Sequence, residues 1–456
     1  MPRTGPLLCR ASLSLHKAFI FRRNLGALAQ HTRPSRRQSQ TFPSPVTRDE
    51  PASAVKKRID PHALVASELS SLRSSLLGLL GSAHPGLSEI ARYYFLQPSQ
   101  QLRSLIVLLF SHATNGLGRH WAEKAWAAQN EVDSGLKEEL DRPLRLPDVL
   151  NNWHPSMPNH TASFASVFEL RPAGLHTPPS SPPSSISADA NPNRIPRLAN
   201  PHRLLHVQLR LAQITEMIHI ASVLHDGVDD ATAPSATTST PSPPEDGGFG
   251  NKLSILGGDF LLGRASAALS RLGESEVVEL VGGVISNLAE GEMLRVQGRN
   301  ESPERTTTDI NDAWDLYLRR TYLKTASLMA KSARAAVVLG GCREGEIWKD
   351  VAYAYGRNLG IAYQLVEDTM EYESGGLPML VTGPVLFAGE EHPELQTLIH
   401  RNLAGEGDIK RAVDFVSRSD GVERTRRLAQ SYADAAREVL ELLPDSDPKA
   451  ALAALA

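Results

Sequence analysis

Seven segments between residues 202 and 443 repeat apolar side chains every three to four positions. They are 202–225, 252–271, 275–297, 309–342, 347–373, 408–417 and 420–443. In the first, Leu205, Leu209, Ala212, Met217, Ile218 and Leu224 follow this spacing, which gathers apolar side chains on one face of a helix. Alternating runs of β-branched residues, the mark of a half-buried strand, are nearly absent. Pro is scarce inside the segments, and Gly340-Gly341 and Asp420-Gly421 punctuate their ends. A chain of this kind can bury its apolar faces only helix against helix. The expectation is an all-α bundle of about ten or more helices.

Two stretches break the pattern. Residues 172–200 and 231–248 are dominated by Pro, Ser and Thr and carry too little apolar surface to order themselves, so they read as disordered insertions in a folded body. The first 48 residues differ again: eight Arg and one Lys stand without a single Asp or Glu, and short apolar patches lie between the basic residues. That composition predicts an organelle transit peptide, most simply mitochondrial; a basic tail is the plainer alternative. The remainder holds 39 basic against 51 acidic residues, and this acidic body argues against a nucleic-acid partner. No apolar run is long enough for a membrane span. With only Cys9 and Cys342, a disulfide scaffold is excluded.

Two acidic clusters sit at the ends of apolar helices. Asp226 and Asp230 are four apart, as are Glu367 and Glu371, with Asp368 between the latter pair. On a helix, side chains four apart project from one face. Facing carboxylates of this kind suit Mg²⁺, which is usually held by one or two carboxylates and the phosphate oxygens of a substrate. Metal-held diphosphate is in turn a good leaving group. Each cluster alone also fits a solvated helix end or a cap.

The stretches around these clusters are specific. Residues 214–230, GNKLSILGGDFLLGRAS (250–266), VISNLAEGEM (284–293), YLRRTYLKTASLMAKS (317–332), AYGRNLGIAYQLVED (354–368) and residues 407–436 resemble the trans-polyprenyl diphosphate synthases. The resemblance covers residues 58–456 apart from the two insertions. WHPSMPNHTASFASVFEL (153–170) is similar to the fungal mitochondrial type that builds the ubiquinone side chain. The resemblance implies the all-α isoprenoid synthase fold, with two aspartate-rich motifs facing across a central cavity. It implies Mg²⁺ as cofactor, and ionisation of an allylic diphosphate followed by attack of the isopentenyl diphosphate alkene on the carbocation. By position, Asp226, Asp230, Glu367, Asp368 and Glu371 would be metal ligands. Arg103 would hold isopentenyl diphosphate, Lys324 and Thr325 would contact the allylic diphosphate, and His219 and Gln364 match the residues that precede the two motifs. Ala221 and Ser222 take the place of the cavity floor, where small side chains leave room for a long product; small residues also simply permit close packing.

The departures from the family pattern matter as much. The first D-D-x-x-D reads Asp226-Gly227-Val228-Asp229-Asp230, and the Arg-Arg-Gly that should follow is replaced by the 231–248 stretch. In G-K-x-x-R-P the Gly, Lys and Pro are Ser99, Gln100 and Ser104. The second motif reads Glu367-Asp368-Thr369-Met370-Glu371, and the G-K-P segment beyond it is missing. Two readings compete: a non-catalytic or impaired subunit paired with an active paralogue, and an independently active synthase with an unusual site. A class I terpene cyclase fits less well, since no second motif of the N-S-E type is present. Homo- or hetero-oligomerisation and a peripheral place at the inner membrane complete the expectation.

Overall fold

The computed structural model describes residues 59–80, 101–134, 204–228, 251–300, 310–373, 381–400 and 407–456, with isolated positions 87, 95, 140, 141, 403 and 405. Contacts divide the chain into two units, Met1–Lys57 and Arg58–Ala456, and the first lies outside the described residues. So do residues 1–48, where a transit peptide is expected, the stretches 153–170, 172–200 and 231–248, and Ser99, Gln100 and Asp230.

The second unit is helical, with no strand among the described residues. After one helical turn at Pro61–Leu64 come α1 (Ala66–Leu80), α2 (Leu102–Thr114), α3 (Trp121–Ser134), α4 (His206–Asp226), α5 (Asn251–Ser270) and α6 (Ser275–Asn300). Next are α7 (Ile310–Thr321), a π-helical turn at Tyr322–Ala326, α8 (Ser327–Leu339) and α9 (Ile347–Glu373). Then follow α10 (Gly383–Glu391), α11 (Pro393–His400), α12 (Asp408–Ser417), α13 (Gly421–Leu440) and α14 (Asp447–Leu455). Each of the seven periodic segments is found as helix. The 309–342 run is α7 and α8 joined through the π turn, with helical backbone at Thr321 and Ser327 on either side. No helix among the described residues is long and apolar enough to cross a membrane.

Burial sorts the helices into centre and shell. In α8 every residue but Lys331 and Arg334 is buried, and α4 is buried over most of its circumference. Such all-round burial requires neighbours on every side. The polar residues that α4 takes inside are bonded: Gln208 exchanges two hydrogen bonds with Asn115 at 3.0 and 2.8 Å and donates to the Ala336 carbonyl at 3.1 Å. Helix α9 runs through two apolar cores. Its Val351, Ala352, Tyr355 and Leu359 join α2, α4, α5, α6 and α8 in the first, and Ile361 and Leu365 join α7 and α10–α13 in the second. Tyr355 donates to the Leu452 carbonyl at 2.7 Å and so ties α14 to α9. Lys349, only 2 % exposed, links α9 to α6 through Glu276 at 2.8 Å.

Where α9 passes the π turn, the two backbones nearly touch. A Cβ at Gly360 would lie 2.5 Å from Ala326 Cα, so only glycine fits. Gly360→Ala is expected to cost about 1–2 kcal/mol even after the roughly 1 kcal/mol gain in helix propensity. Gly282→Ala on α6, where a Cβ meets nothing within 4 Å, is expected to be neutral or stabilising. Urea midpoints of the two variants check the contrast.

Candidate functional site

The π turn is the organising element. An i→i+5 turn widens the helix locally, and such turns recur at functional sites. Here it carries Lys324 and Thr325 side by side. The Lys324 stem lies over Gly291 of α6, where a Cβ would come within 2.8 Å of Lys324 Cγ. That path brings the ammonium onto two carboxylates: Asp226, at the C-terminal end of α4, and Glu292 of α6 at 3.0 Å.

Thr325 turns to the other side. Its hydroxyl donates to Gln364 Oε1 at 2.8 Å, and Gln364 Nε2 donates to Asp368 Oδ1 at 3.0 Å. Asp368 Oδ2 accepts from the Tyr317 hydroxyl of α7 at 2.7 Å and from the Gly383 backbone N–H at 3.2 Å. Gly383 is the first residue of α10, so the carboxylate sits at a helix N-terminus, where negative charge is favoured. Asp368 is thus saturated by donors on three elements and is 6 % exposed. Burial, then the neighbouring Asp368 charge, pushes the Tyr317 phenol well above its usual range, which keeps the hydroxyl as the donor. Burial and Asp368 also raise Glu371.

A third cluster adjoins these. Arg103 of α2 contacts His219 Nε2 of α4 at 3.1 Å. Guanidinium can only donate, so Nε2 accepts and the imidazole proton is on Nδ1. Burial, then the Arg103 charge, holds His219 well below its ordinary value, and the ring is neutral at pH 7. Arg103 is itself lowered by burial, a shift opposed by Glu216, Tyr363 and Glu367. Glu216 is raised by burial against the pull of Arg103, and it accepts from the Ser104 hydroxyl at 2.9 Å and backbone N–H at 3.2 Å. Tyr363 hydrogen-bonds Glu367, which continues the cluster to the second acidic motif.

The structure therefore brings Asp226, Lys324, Thr325, Gln364 and Asp368 together around the π turn, and Arg103, His219 and Glu367 beside them. Ala221 is fully buried in the first core, and Ser222 is half-buried one position on. Glu292, Tyr317, Glu216, Tyr363 and the Gly383 N–H are additional members that the sequence does not single out, and Ser104, which replaces the motif's Pro, joins them. Tyr363 stands four before Glu367, and Glu216 three before His219, so helical spacing from the known positions would have found both.

Whether these residues fit Mg²⁺ can be judged from their partners. Among the described residues, no group of three His, Cys, Asp or Glu side chains is placed to hold a metal ion. Asp226 is engaged by an ammonium, and Asp368 by three protein donors. The described part of the site does not present a preformed Mg²⁺ centre.

The polyprenyl synthetase family profile matches residues 195–376. The chain is 38 % identical over 404 residues to a Yarrowia lipolytica protein named probable hexaprenyl pyrophosphate synthase, mitochondrial, covering 86 % of this chain and 82 % of that one. It is 32 % identical over 404 residues to the decaprenyl-diphosphate synthase subunit 1 of Schizosaccharomyces pombe, covering 86 % and 89 %. The apo form of an Arabidopsis medium/long-chain length prenyl pyrophosphate synthase superposes with a TM-score of 0.51 at 27 % identity, covering 87 % of this chain and 96 % of that one.

Proposed function

Because the chain belongs to the polyprenyl synthetase family, we propose that it is a subunit of a mitochondrial long-chain trans-polyprenyl diphosphate synthase and is impaired as a catalyst on its own. The reaction served is the addition of isopentenyl diphosphate to an allylic diphosphate, for the isoprenoid side chain of ubiquinone. The partner is an active paralogue. The basic first 48 residues fit a mitochondrial address, as do the names of the fungal relatives.

The observation that carries this reading is the state of Lys324. The cation assigned to the allylic diphosphate is already spanned by Asp226 and Glu292 of the same chain. Diphosphate would have to share this ammonium with two carboxylates, and the Lys and Arg residues expected to help are missing from the sequence. Arg103 is the surviving contact for isopentenyl diphosphate. Its guanidinium stays charged, and its neutral neighbour His219 does not compete for an anion. The family generally uses Mg²⁺; the residues described here supply no preformed place for it, and no step is assigned to it.

An independently active synthase is the second reading. It is favoured by the convergence of Arg103, His219, Lys324, Thr325 and Gln364 on one region. The experiment that separates them assays the purified chain alone and mixed with an active family member, with isopentenyl and farnesyl diphosphates. Product from the mixture and almost none from the chain alone supports the first reading. Full turnover by the chain alone overturns it.

A further inference from the structure

Helix α2 begins without a side-chain cap of its own. Gln101 stands at the cap position, and its side chain makes no bond to the first turn. Its carbonyl accepts the Leu105 N–H at 2.8 Å, so the N–H groups before Leu105 have no partner within the helix. A cap side chain ordinarily accepts from the second or third helical residue. Ser104 is the third, and its N–H is taken by α4 instead. Glu216 Oε1, 112 positions away, accepts it at 3.2 Å and accepts the Ser104 hydroxyl at 2.9 Å. The same hydroxyl lies 3.0 Å from the Ala212 carbonyl. Ala212, Glu216 and His219 follow one face of α4, so the start of α2 is laid along that face. Ser104 is fully buried and Glu216 is 5 % exposed, which leaves water little access to replace the carboxylate.

Arg103 is the residue before Ser104. Its Nη1 meets His219 Nε2 at 3.1 Å, one turn along α4 from Glu216. Its Nε–H is buried and has no acceptor among the described residues. A guanidinium recognises an anion through a rigid fork, so the direction of that fork decides whether two oxygens can be met at once. The side chain starts from the first turn of α2. If that turn frays, the origin of the fork moves, and a displacement of about 1 Å is enough to matter at a binding or reacting centre.

We propose that Glu216 is the positioning residue of Arg103: acting through Ser104, it caps α2 from α4 and so fixes where the guanidinium meets His219 and the diphosphate. Glu216 itself touches neither the diphosphate nor the reacting atoms. The inference rests on the reading of Arg103 as the isopentenyl diphosphate contact, and the experiment reads the two separately.

The full chain is prepared with isotope-labelled histidine. The His219 ring nitrogens, assigned by their loss in His219→Gln, report the Arg103 contact by NMR with no ligand present. Calorimetric titration with isopentenyl diphosphate reports binding. Arg103→Ala gives the signature of the lost contact. Glu216→Leu fills the space and removes the acceptor. It should show that same signature and weaken isopentenyl diphosphate binding by at least about tenfold, the effect of losing one bond to a charged group. Glu216→Gln keeps an acceptor oxygen and should leave the signature in place, with binding within about threefold of wild type. Adding Gln101→Asn to Glu216→Leu puts a good cap at the start of α2 itself and should restore both readouts.

A merely structural role would lower the denaturant midpoint and leave the ring nitrogens and the Kd unchanged. That result in a folded Glu216→Leu overturns the proposal. So does a loss that Gln101→Asn fails to restore, because Glu216 then acts on Arg103 by a route other than the cap. If Glu216→Leu does not fold, Glu216→Asp takes its place: it keeps the charge but withdraws the oxygen from Ser104, and an unaltered Arg103–His219 contact overturns the proposal. If isopentenyl diphosphate binds wild type no better than Arg103→Ala, the reading of Arg103 as its contact falls, and the ring nitrogens still decide whether Glu216 positions the guanidinium.

Discussion

Asp368→Ala is expected to destabilise the folded chain by about 3–5 kcal/mol, more than a similar change at any other carboxylate of the two acidic motifs. The carboxylate accepts from Tyr317, Gln364 and the Gly383 N–H, which lie on α7, α9 and α10, and it is 6 % exposed. Hydrogen bonds to a charged group contribute about 1.5–3 kcal/mol each, and three sharing one acceptor do not add in full. Alanine removes all three at once and leaves a phenol, an amide and a backbone N–H without an acceptor in a closed space. It also strips the negative charge from the N-terminus of α10. Asp368→Asn keeps the shape and one acceptor oxygen and should cost about 1–2 kcal/mol; Tyr317→Phe should cost a similar amount. Glu367 is exposed, and Glu367→Ala should fall within about 0.5 kcal/mol of wild type. Denaturant midpoints of the four metal-free variants check the ranking. A residue that served only as a metal ligand would give the opposite result at Asp368, because removing a carboxylate from an acidic cluster relieves repulsion when no metal is present. An Asp368→Ala midpoint at or above wild type would therefore return it to the ligand role.

Asp368 also marks the limit of what the sequence discloses. Helices α10, α11 and α14 lie outside the seven periodic segments, whereas α5, α6, α9, α12 and α13 were legible from their apolar spacing and end within a few residues of those segments. Helix α2 was not, because Leu105 through Phe110 are all buried and a short, continuous apolar run carries no helical period. The π turn was hidden inside the 309–342 run, since one extra residue in a turn hardly disturbs a three-to-four spacing. In the candidate site, the resemblance singles out Lys324 and Thr325, on the π turn, and Gln364, on α9, each within a recognisable stretch of sequence. Their partners come from packing. Asp226 lies 98 positions from Lys324, Glu292 lies 32 away, and Tyr317 lies 51 from Asp368. No local pattern specifies those pairs. They follow from the order in which α4, α6, α7 and α9 surround the π turn, and that order decides which acidic residues face a cation and which face hydrogen-bond donors.

The chain on its own is expected to join isopentenyl and allylic diphosphates at less than about a thousandth of the rate of an active family member. Charge is the first cause. Gln100 replaces a Lys, and the two Arg that should follow the first motif are absent, which removes three cations from around two diphosphates. At about 1.5–3 kcal/mol per charge-assisted contact, the loss exceeds roughly 5 kcal/mol after a heavy discount for non-additivity. Each 1.36 kcal/mol is about a factor of ten, so more than three decades of rate are at stake. Geometry acts in the same direction. Glu367 and Glu371 are one methylene longer than the aspartates of the family pattern, and a displacement of about 1 Å at a reacting centre can cost about 10²-fold. Incorporation of labelled isopentenyl diphosphate into extractable product measures the rate. The chain mixed with an active relative should turn over at least as fast as that relative alone, and the chain alone should stay near background. Restoring one carboxylate by Gly227→Asp should raise the rate of the lone chain less than about tenfold, because the missing cations are untouched. A single substitution that restored family-like turnover would place the defect in the acidic motif and remove the argument from lost positive charge.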